Sequence, residues 1–461
     1  MHARPVARAT DQRTSAVARP SDQRRLIAAT LSAILPGAGQ AFNGRWKAAA
    51  IFAIPSLALL GVTWVLLQFN TPAMLFAHAI VPATLQTLLI LNAVLLLWRV
   101  LAVLEAFADR RYARRPTRGG LVGLIVIVLL VALPHVVGHV YGSTAFSTFE
   151  RVFAGAGGDA TSGPDDDPGS TAGPTPRPGE RVNVLLMGID SGPRRNHALT
   201  DSLIVVSLDP VGRTVTMLSI PRDLVDVPLG DGDTFAPKIN SLLAYANRHP
   251  DDFPNGGTRA LEDAVGAMLG IPIHYFAKVD LAGFVEMVDA VGGVDVDVAK
   301  PLSDPNYGGF GVGPGWSITA GEHHLDGPNA LAYSRIRKSA GESDFTRAAR
   351  QQQVLVGIRD SAVASNLLVS LPGLLDAVGD SVRTDLPPEM LPELAALAEE
   401  IGGEQTTQAV MTSPMVKSGG KNHPYGSVVI PVPERIAQMV AVIFPPPGTP
   451  PGEWPPPKKQ P

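Results

Sequence analysis

Between Lys47 and Arg99 the chain carries no Asp, Glu, Lys or Arg. A buried core helix needs far less, and at about 20 apolar residues per crossing this run holds two membrane-spanning helices. They break near Asn70-Thr71-Pro72, giving spans of roughly 49–69 and 84–104. A third apolar stretch runs from Leu121 through Pro134 to about Tyr141. Residues 26–44 are also uncharged, but their apolar part ends at Leu35 before Pro36-Gly37-Ala38-Gly39-Gln40. So short a run fits an interfacial or re-entrant segment rather than a span. Arginines crowd the N-terminus and the 110–118 loop, whereas the connection between the first two spans has no basic residue. The positive-inside rule then puts the N-terminus in the cytoplasm and everything after Tyr141 outside. The N-terminus lacks the short apolar core and small-residue cleavage site of a removable signal peptide.

The chain divides on this reading into a basic cytoplasmic N-terminus (1–25), the short segment (26–44), a membrane region with three transmembrane helices (45–141), a Gly/Pro/Asp-rich linker (155–180), an α/β domain (182–444) and a Pro-rich disordered tail (445–461). Cysteine is absent, which excludes disulfides, thiol nucleophiles and Cys-bound zinc. A net charge of −4 gives no general attraction to nucleic acid, and none is expected as a partner.

In the α/β domain, strands are expected at 182–187, 203–208 and 214–220, the last two joined by the turn Asp209-Pro210-Val211-Gly212. The short connection suits an antiparallel meander, with a crossover as the alternative. A meander brings Asp190, Asp201 and Arg222 to one edge of the sheet. Alternating helices and strands follow (259–269, 275–279, 281–291, 294–298, near 328–333, 344–364, 374–381, 387–401, 427–430), which favours a layered α/β/α sandwich with a mixed sheet.

Asp190 and Asp201 suit two oxygen ligands of a hard cation such as Mg²⁺, or else they cap the loop between them. Arg335 and Arg337 flank Ile336 and share a face in extended chain; they form either part of a ligand site or a solvated edge. Arg347, Gln351, Val354, Leu355 and Ile358 fall on one helical stripe whose later turns are apolar, so Arg347 and Gln351 point inward at the helix start. A cation there opposes the helix dipole, and a bound anion would remove the conflict; snorkelling of Arg347 to the surface is the alternative. His323 and His324 lack metal-ligand spacing and read as surface residues. Clustered arginines with two carboxylates suit a pyrophosphate held with Mg²⁺.

The runs Asn183-Val184-Leu185-Leu186-Met187-Gly188-Ile189-Asp190, Thr200-Asp201-Ser202, Ser219-Ile220-Pro221-Arg222-Asp223, Lys238-Ile239-Asn240, Ala332-Tyr333-Ser334-Arg335-Ile336-Arg337, and Asp344-Phe345 through Gln351-Gln352-Gln353 resemble the LytR-CpsA-Psr family in order and spacing. Two departures stand out: Leu199 where many relatives have a basic residue, and Ala348-Ala349 in place of a Gln pair.

The resemblance implies a membrane-anchored phosphotransferase. It would move a glycopolymer (teichoic acid, arabinogalactan or capsular polysaccharide) from polyprenyl pyrophosphate to peptidoglycan and release polyprenyl phosphate. It further implies that Asp190 and Asp201 hold Mg²⁺, and that Arg222, Arg335, Arg337, Arg347, Arg350 and Gln351 clamp the pyrophosphate. Arg222, Arg335 and Arg337 would then act in catalysis, with Asp344 as base or as helix N-cap. A lipid pyrophosphatase, with water as acceptor, and a membrane-tethered envelope sensor are the rival readings.

Overall fold

The three apolar stretches form long helices, two of which continue through an internal proline, Pro55 and Pro134. The computed structural model describes residues 22–70, 75, 78–79, 81–109, 115–153, 173–190, 199–364, 379, 381–402, 405–420 and 422–454. The chain forms two units, one of residues up to 70 with 86–143, the other of 71–85 with everything from 144 onward.

In the first unit, α1 (Asp22–Ile34) and α2 (Ala38–Phe42) form a short hairpin. Three helices long and apolar enough to cross a membrane follow: α3 (Trp46–Phe69), α4 (Pro82–Phe107) and α5 (Arg118–Val152). The hairpin turns at Gly37, whose φ of 99° lies in the left-handed region, and a Cβ there would sit 2.4 Å from Ala49 O. Its polar groups are turned onto α4: Gln40 Nε2 donates to Ala102 O (2.8 Å) and Asn43 Nδ2 to Ala106 O (2.9 Å). Residues 26–44 therefore fold as a helical hairpin against a long helix. Arg99 donates to Ala33 O (2.6 Å) and faces His135, so the arginine that closes the uncharged run, inside α4, meets polar groups.

The second unit is built on a six-stranded sheet in the order β11-β6-β1-β2-β3-β12. β1 (Val182–Asp190), β2 (Leu199–Asp209) and β3 (Thr214–Ile220) form the meander, each antiparallel to the next. Next come the small hairpin of β4 (Val227–Pro228) and β5 (Thr234–Phe235), α6 (Leu242–Arg248), α7 (Gly256–Leu269), β6 (Tyr275–Asp280) and α8 (Leu281–Ala290). β6 lies parallel to β1. A ribbon of β7 (Val294–Val298) with β10 (Gly321–Leu325) and a hairpin of β8 (Leu302–Asp304) with β9 (Trp316–Ile318) precede α9 (Gly327–Arg335) and α10 (Asp344–Ala364). The remainder is β11 (Val382–Thr384), α11 (Leu391–Glu400), β12 (Thr406–Val410), β13 (Val416–Ser418), β14 (Val429–Pro431) and α12 (Pro433–Ile443).

Leu185, Met187, Leu203, Val205 and Leu218 bury one face of the sheet with Leu261 and Val265 of α7 and Ile436 and Met439 of α12. A second core joins α8, the β7–β10 ribbon, α9 and α10 through Val288, Val296, Tyr333, Ile336 and Val354. That second core sets where the ends of α9 and α10 lie. The fold is thus an α/β sandwich on a mixed sheet.

Two expectations change. The third long helix runs past Tyr141 to Val152, because no breaker lies between them. The tail is ordered at its start: Arg181 Nε donates to Pro445 O (2.7 Å), Gly448 N to Asp209 Oδ2 (2.8 Å), and Trp454 Nε1 reaches Met415 Sδ. Residues 455–461, 154–172 of the linker and most of the expected 374–381 helix lie outside the described residues.

Asp385, just past β11, accepts a hydrogen bond from Phe276 N (2.7 Å), while its Oδ2 is buried without a partner among the described residues. Burial pushes its carboxyl up to about 6, partly opposed by that hydrogen bond. A carboxyl raised on folding costs nothing below its unfolded value, and the full cost, on the order of 3 kcal/mol, is present above its folded value. The stability difference between Asp385→Asn and the natural protein should therefore grow in the variant's favour from about pH 4 to about pH 6 and then level off. Melting curves across that range check it; a pH-independent difference would refute the burial argument.

Candidate anion-binding site

The meander delivers its charges to one edge. Asp190 ends β1 and is buried, paired across the sheet with Leu199. Gly188 pairs with Ser202 and Ile189 with Thr200, so Asp201 between them is the extra residue of a β-bulge. A bulge re-aims the side chain it inserts, and this one carries Asp201 to Arg222. Arg222 leaves β3 after Pro221, and its backbone is held from behind: Asn240 N donates to Arg222 O (3.2 Å), and Thr200 Oγ1 to Asn240 O (3.1 Å). Lys238 Nζ meets Asp223 Oδ1 at 2.7 Å. Burial alone would lower the Arg222 pKa, but attraction by Asp201, with Asp223 and Asp344, outweighs it and raises the value. Its Nε is nevertheless buried with no acceptor among the described residues.

Arg335 and Arg337 do not alternate along a strand. Arg335 is the last residue of α9, where a cation complements the helix dipole, and its guanidinium lies 3.3 Å from Asp190. Arg337, two residues past the helix, is about half exposed and lies 3.7 Å from Asp344. The short helix expected near 328–333 starts at Gly327, where Asp326 caps it by accepting from Asn329 N, and continues to Arg335.

At the start of α10, Arg347 and Gln351 point inward as the stripe requires. Arg347 is buried, and burial brings its pKa down to about 10 although Asp344, 3.1 Å away, opposes the fall. Asp344 is the first helical residue and is not the N-cap. Ser343 caps: its Oγ accepts from Thr346 N (3.2 Å), while its own N donates to Thr346 Oγ1 (2.8 Å). The Ser-x-x-Thr spacing was the signal for it. Asp344 instead bridges Arg337 and Arg347. Gln351 and Arg347 line a small cleft with Asp201, Pro221, Arg222 and Asp344.

Arg350 departs from the expected clamp. Its Nε donates to Tyr333 O (2.8 Å), its Nη2 to Ile336 O (2.5 Å), and its Nη1 meets Glu342. With its donors taken by protein acceptors, it braces the chain that carries Arg335 and Arg337. Gln352 ties α10 to the sheet through Ser219 Oγ (2.9 Å) and Ala409 O (2.7 Å). His324 pairs on the surface with Asp295 (2.7 Å), away from any metal-ligand grouping among the described residues. A larger cavity of about 680 Å³, lined by residues such as Leu229, Phe253, Arg259 and Ile273, includes none of the expected site residues.

Four guanidiniums (Arg222, Arg335, Arg337, Arg347) thus face three carboxylates (Asp190, Asp201, Asp344) at one sheet edge. The excess of planar donors, one of them buried and unmatched, has the chemistry that suits a polyanion. The chain belongs to the LytR_cpsA_psr family, whose model matches residues 161–430. It is 34% identical over 205 residues to a polyisoprenyl-teichoic acid–peptidoglycan teichoic acid transferase TagU of Halalkalibacterium halodurans, covering 44% of this chain and 60% of that one. To TagV of Bacillus subtilis it is 35% identical over 205 residues, 44% of this chain and 49% of the relative. The solved structure of B. subtilis TagV aligns over 57% of this chain and 96% of that one, at 28% identity and a TM-score of 0.46. The matches thus span from about half to about three fifths of these two curated relatives.

Proposed function

We propose that the protein transfers a glycopolymer from a polyprenyl pyrophosphate carrier to a peptidoglycan hydroxyl, releasing polyprenyl phosphate. The observation that carries this is the guanidinium cluster at the sheet edge, with the buried Arg222 Nε lacking an acceptor among the described residues. Membership of the family and relatives named as teichoic acid transferases support the same reading. The three long apolar helices would anchor the chain, with the N-terminus cytoplasmic and the α/β domain outside, where the acceptor lies.

In this mechanism the acceptor hydroxyl attacks the sugar-linked phosphorus, the phosphoanhydride bond breaks, and the hydroxyl proton is taken up, in net balance, by the departing lipid phosphate. Negative charge then grows on the departing lipid phosphate and on the non-bridging oxygens. Arg335 and Arg222, held in place by Asp190 and Asp201, lie ready to donate to those oxygens without reorganising. Arg347 gains most from an anion, because its charge is buried among four neighbouring charges of which two, Arg222 and Arg337, repel it. Asp344 keeps Arg337 and Arg347 together while the anion is absent.

Asp190 and Asp201 fit Mg²⁺ as a pair of hard oxygen donors from adjacent strands, the rest of its shell being left to water and phosphate. Bound there, Mg²⁺ would offset pyrophosphate charge. Products from purified protein, a lipid-pyrophosphoryl glycan, Mg²⁺ and peptidoglycan fragments test the proposal by mass spectrometry. A phosphodiester-linked adduct is expected; free sugar phosphate would mean hydrolysis, and unchanged lipid would remove the catalytic reading.

A further inference from the structure

The segment from Lys338 to Ser343 is a surface loop: Lys338, Ala340, Gly341 and Ser343 are exposed. Ser339 is half-buried, and the Glu342 side chain is only 1% exposed. It is turned inward to accept from Arg350 of α10, from Lys300 Nζ beyond β7 (3.0 Å), and from Thr346 Oγ1 (2.8 Å). Lys300 Nζ also donates to Gly341 O (3.1 Å), and Arg350 to the Tyr333 and Ile336 carbonyls on either side of Arg335.

One carboxylate thus gathers cations from two separate elements, and the chain it closes, 335–344, carries Arg335, Arg337 and Asp344. We infer that Glu342 is a positioning residue, a buried latch that fixes where the Arg335 and Arg337 guanidiniums stand, and this rests on the pyrophosphate-clamp reading above. The latch touches no substrate. It acts because a guanidinium fork displaced by about an ångström loses its paired hydrogen bonds to phosphate oxygens. Burial would raise the Glu342 pKa, but hydrogen bonds from Arg350, Thr346 and Lys300 prevail and lower it, so the carboxylate stays charged at neutral pH. Its contribution is therefore complete above the ordinary glutamate range and is lost only in acid.

Glu342→Gln keeps the size and one acceptor while removing the charge that draws Lys300 and Arg350 together. The full chain in detergent is compared with Glu342→Gln, Lys300→Met and the double variant. The measurements are melting temperature, Kd for inorganic pyrophosphate by calorimetry, and kcat/KM for transfer.

The expected result for Glu342→Gln is a Kd weakened by about tenfold, with transfer reduced at least as much and the melting temperature within a few degrees. Lys300→Met should weaken binding less and add little to Glu342→Gln, because both break one latch. Should Glu342→Gln fail to fold, Lys300→Met decides alone, with about a threefold weaker Kd expected at an unchanged melting temperature. Folded variants with Kd and kcat/KM within twofold of the natural protein, or fully additive effects, would overturn the latch. Natural protein that fails to bind pyrophosphate would overturn the clamp reading itself, and the latch with it.

Discussion

Arg335→Lys is expected to lower turnover on a lipid-linked substrate by about tenfold or more, and Arg335→Ala by more still. Lysine keeps the charge but presents a compact ammonium, so the paired N–H donors that match two phosphate oxygens are lost. Removing a donor to developing charge can cost about 3 kcal/mol in an enclosed site. The structure ranks two positions that the sequence treats alike. Arg335 is the more enclosed, with 29% of its side chain exposed against 48% for Arg337, and it lies against the buried Asp190. Arg337 changes should therefore cost less than the matching Arg335 changes. An arginine that merely solvates the surface contributes about 0–1 kcal/mol, screened by salt, and its loss would leave kinetics unchanged. Kinetics of both pairs of variants, with melting curves to show that each is folded, separate the cases. Unaltered turnover in folded Arg335→Ala would remove it from the site.

What the sequence revealed of this site followed from periodicity and short range. The short turn Asp209-Pro210-Val211-Gly212 favoured a meander over a crossover, and the two antiparallel pairs bring Asp190, Asp201 and Arg222 to one edge. Arg347 was legible from its stripe, since the apolar turns behind it fix the helix face. The bulge at Asp201 was not, because a single inserted residue leaves no pattern of its own. Arg335 was misplaced in extended chain because Ala330, Ala332 and Tyr333 are buried by distant elements of the second core, and that burial carries the helix to its end at Arg335. Arg350 looked like one more clamp residue for the same reason: its acceptors are carbonyls and a carboxylate from 8 to 17 residues away, which one-dimensional spacing does not reveal. The edge strand β12 was missed because Thr406-Thr407-Gln408 is polar, and it is held by pairing with β3 rather than by an apolar face.

Asp201→Asn should abolish most magnesium-dependent turnover, and the reason can be distinguished from loss of its ion pair with Arg222. If Asp201 only restrains Arg222, then once Arg222 is gone nothing is left for it to restrain, and the double variant Asp201→Asn/Arg222→Gln should be no worse than Arg222→Gln alone. The response to Mg²⁺ would then be unchanged in all of them. If Asp201 is also a ligand, the amide supplies a neutral, weaker oxygen to a hard cation that has few protein donors here, and the affinity for Mg²⁺ falls. Thermal stability reads this without turnover: a ligand at about 100 times its Kd stabilises the folded state by about 2.7 kcal/mol. The natural protein should melt higher with Mg²⁺ and pyrophosphate than with pyrophosphate alone. Asp201→Asn and Asp190→Asn should lose that increment, while Arg222→Gln should weaken the response to pyrophosphate and retain part of the increment from Mg²⁺. An increment of equal size in all four proteins would assign the two carboxylates to holding arginines and nothing more.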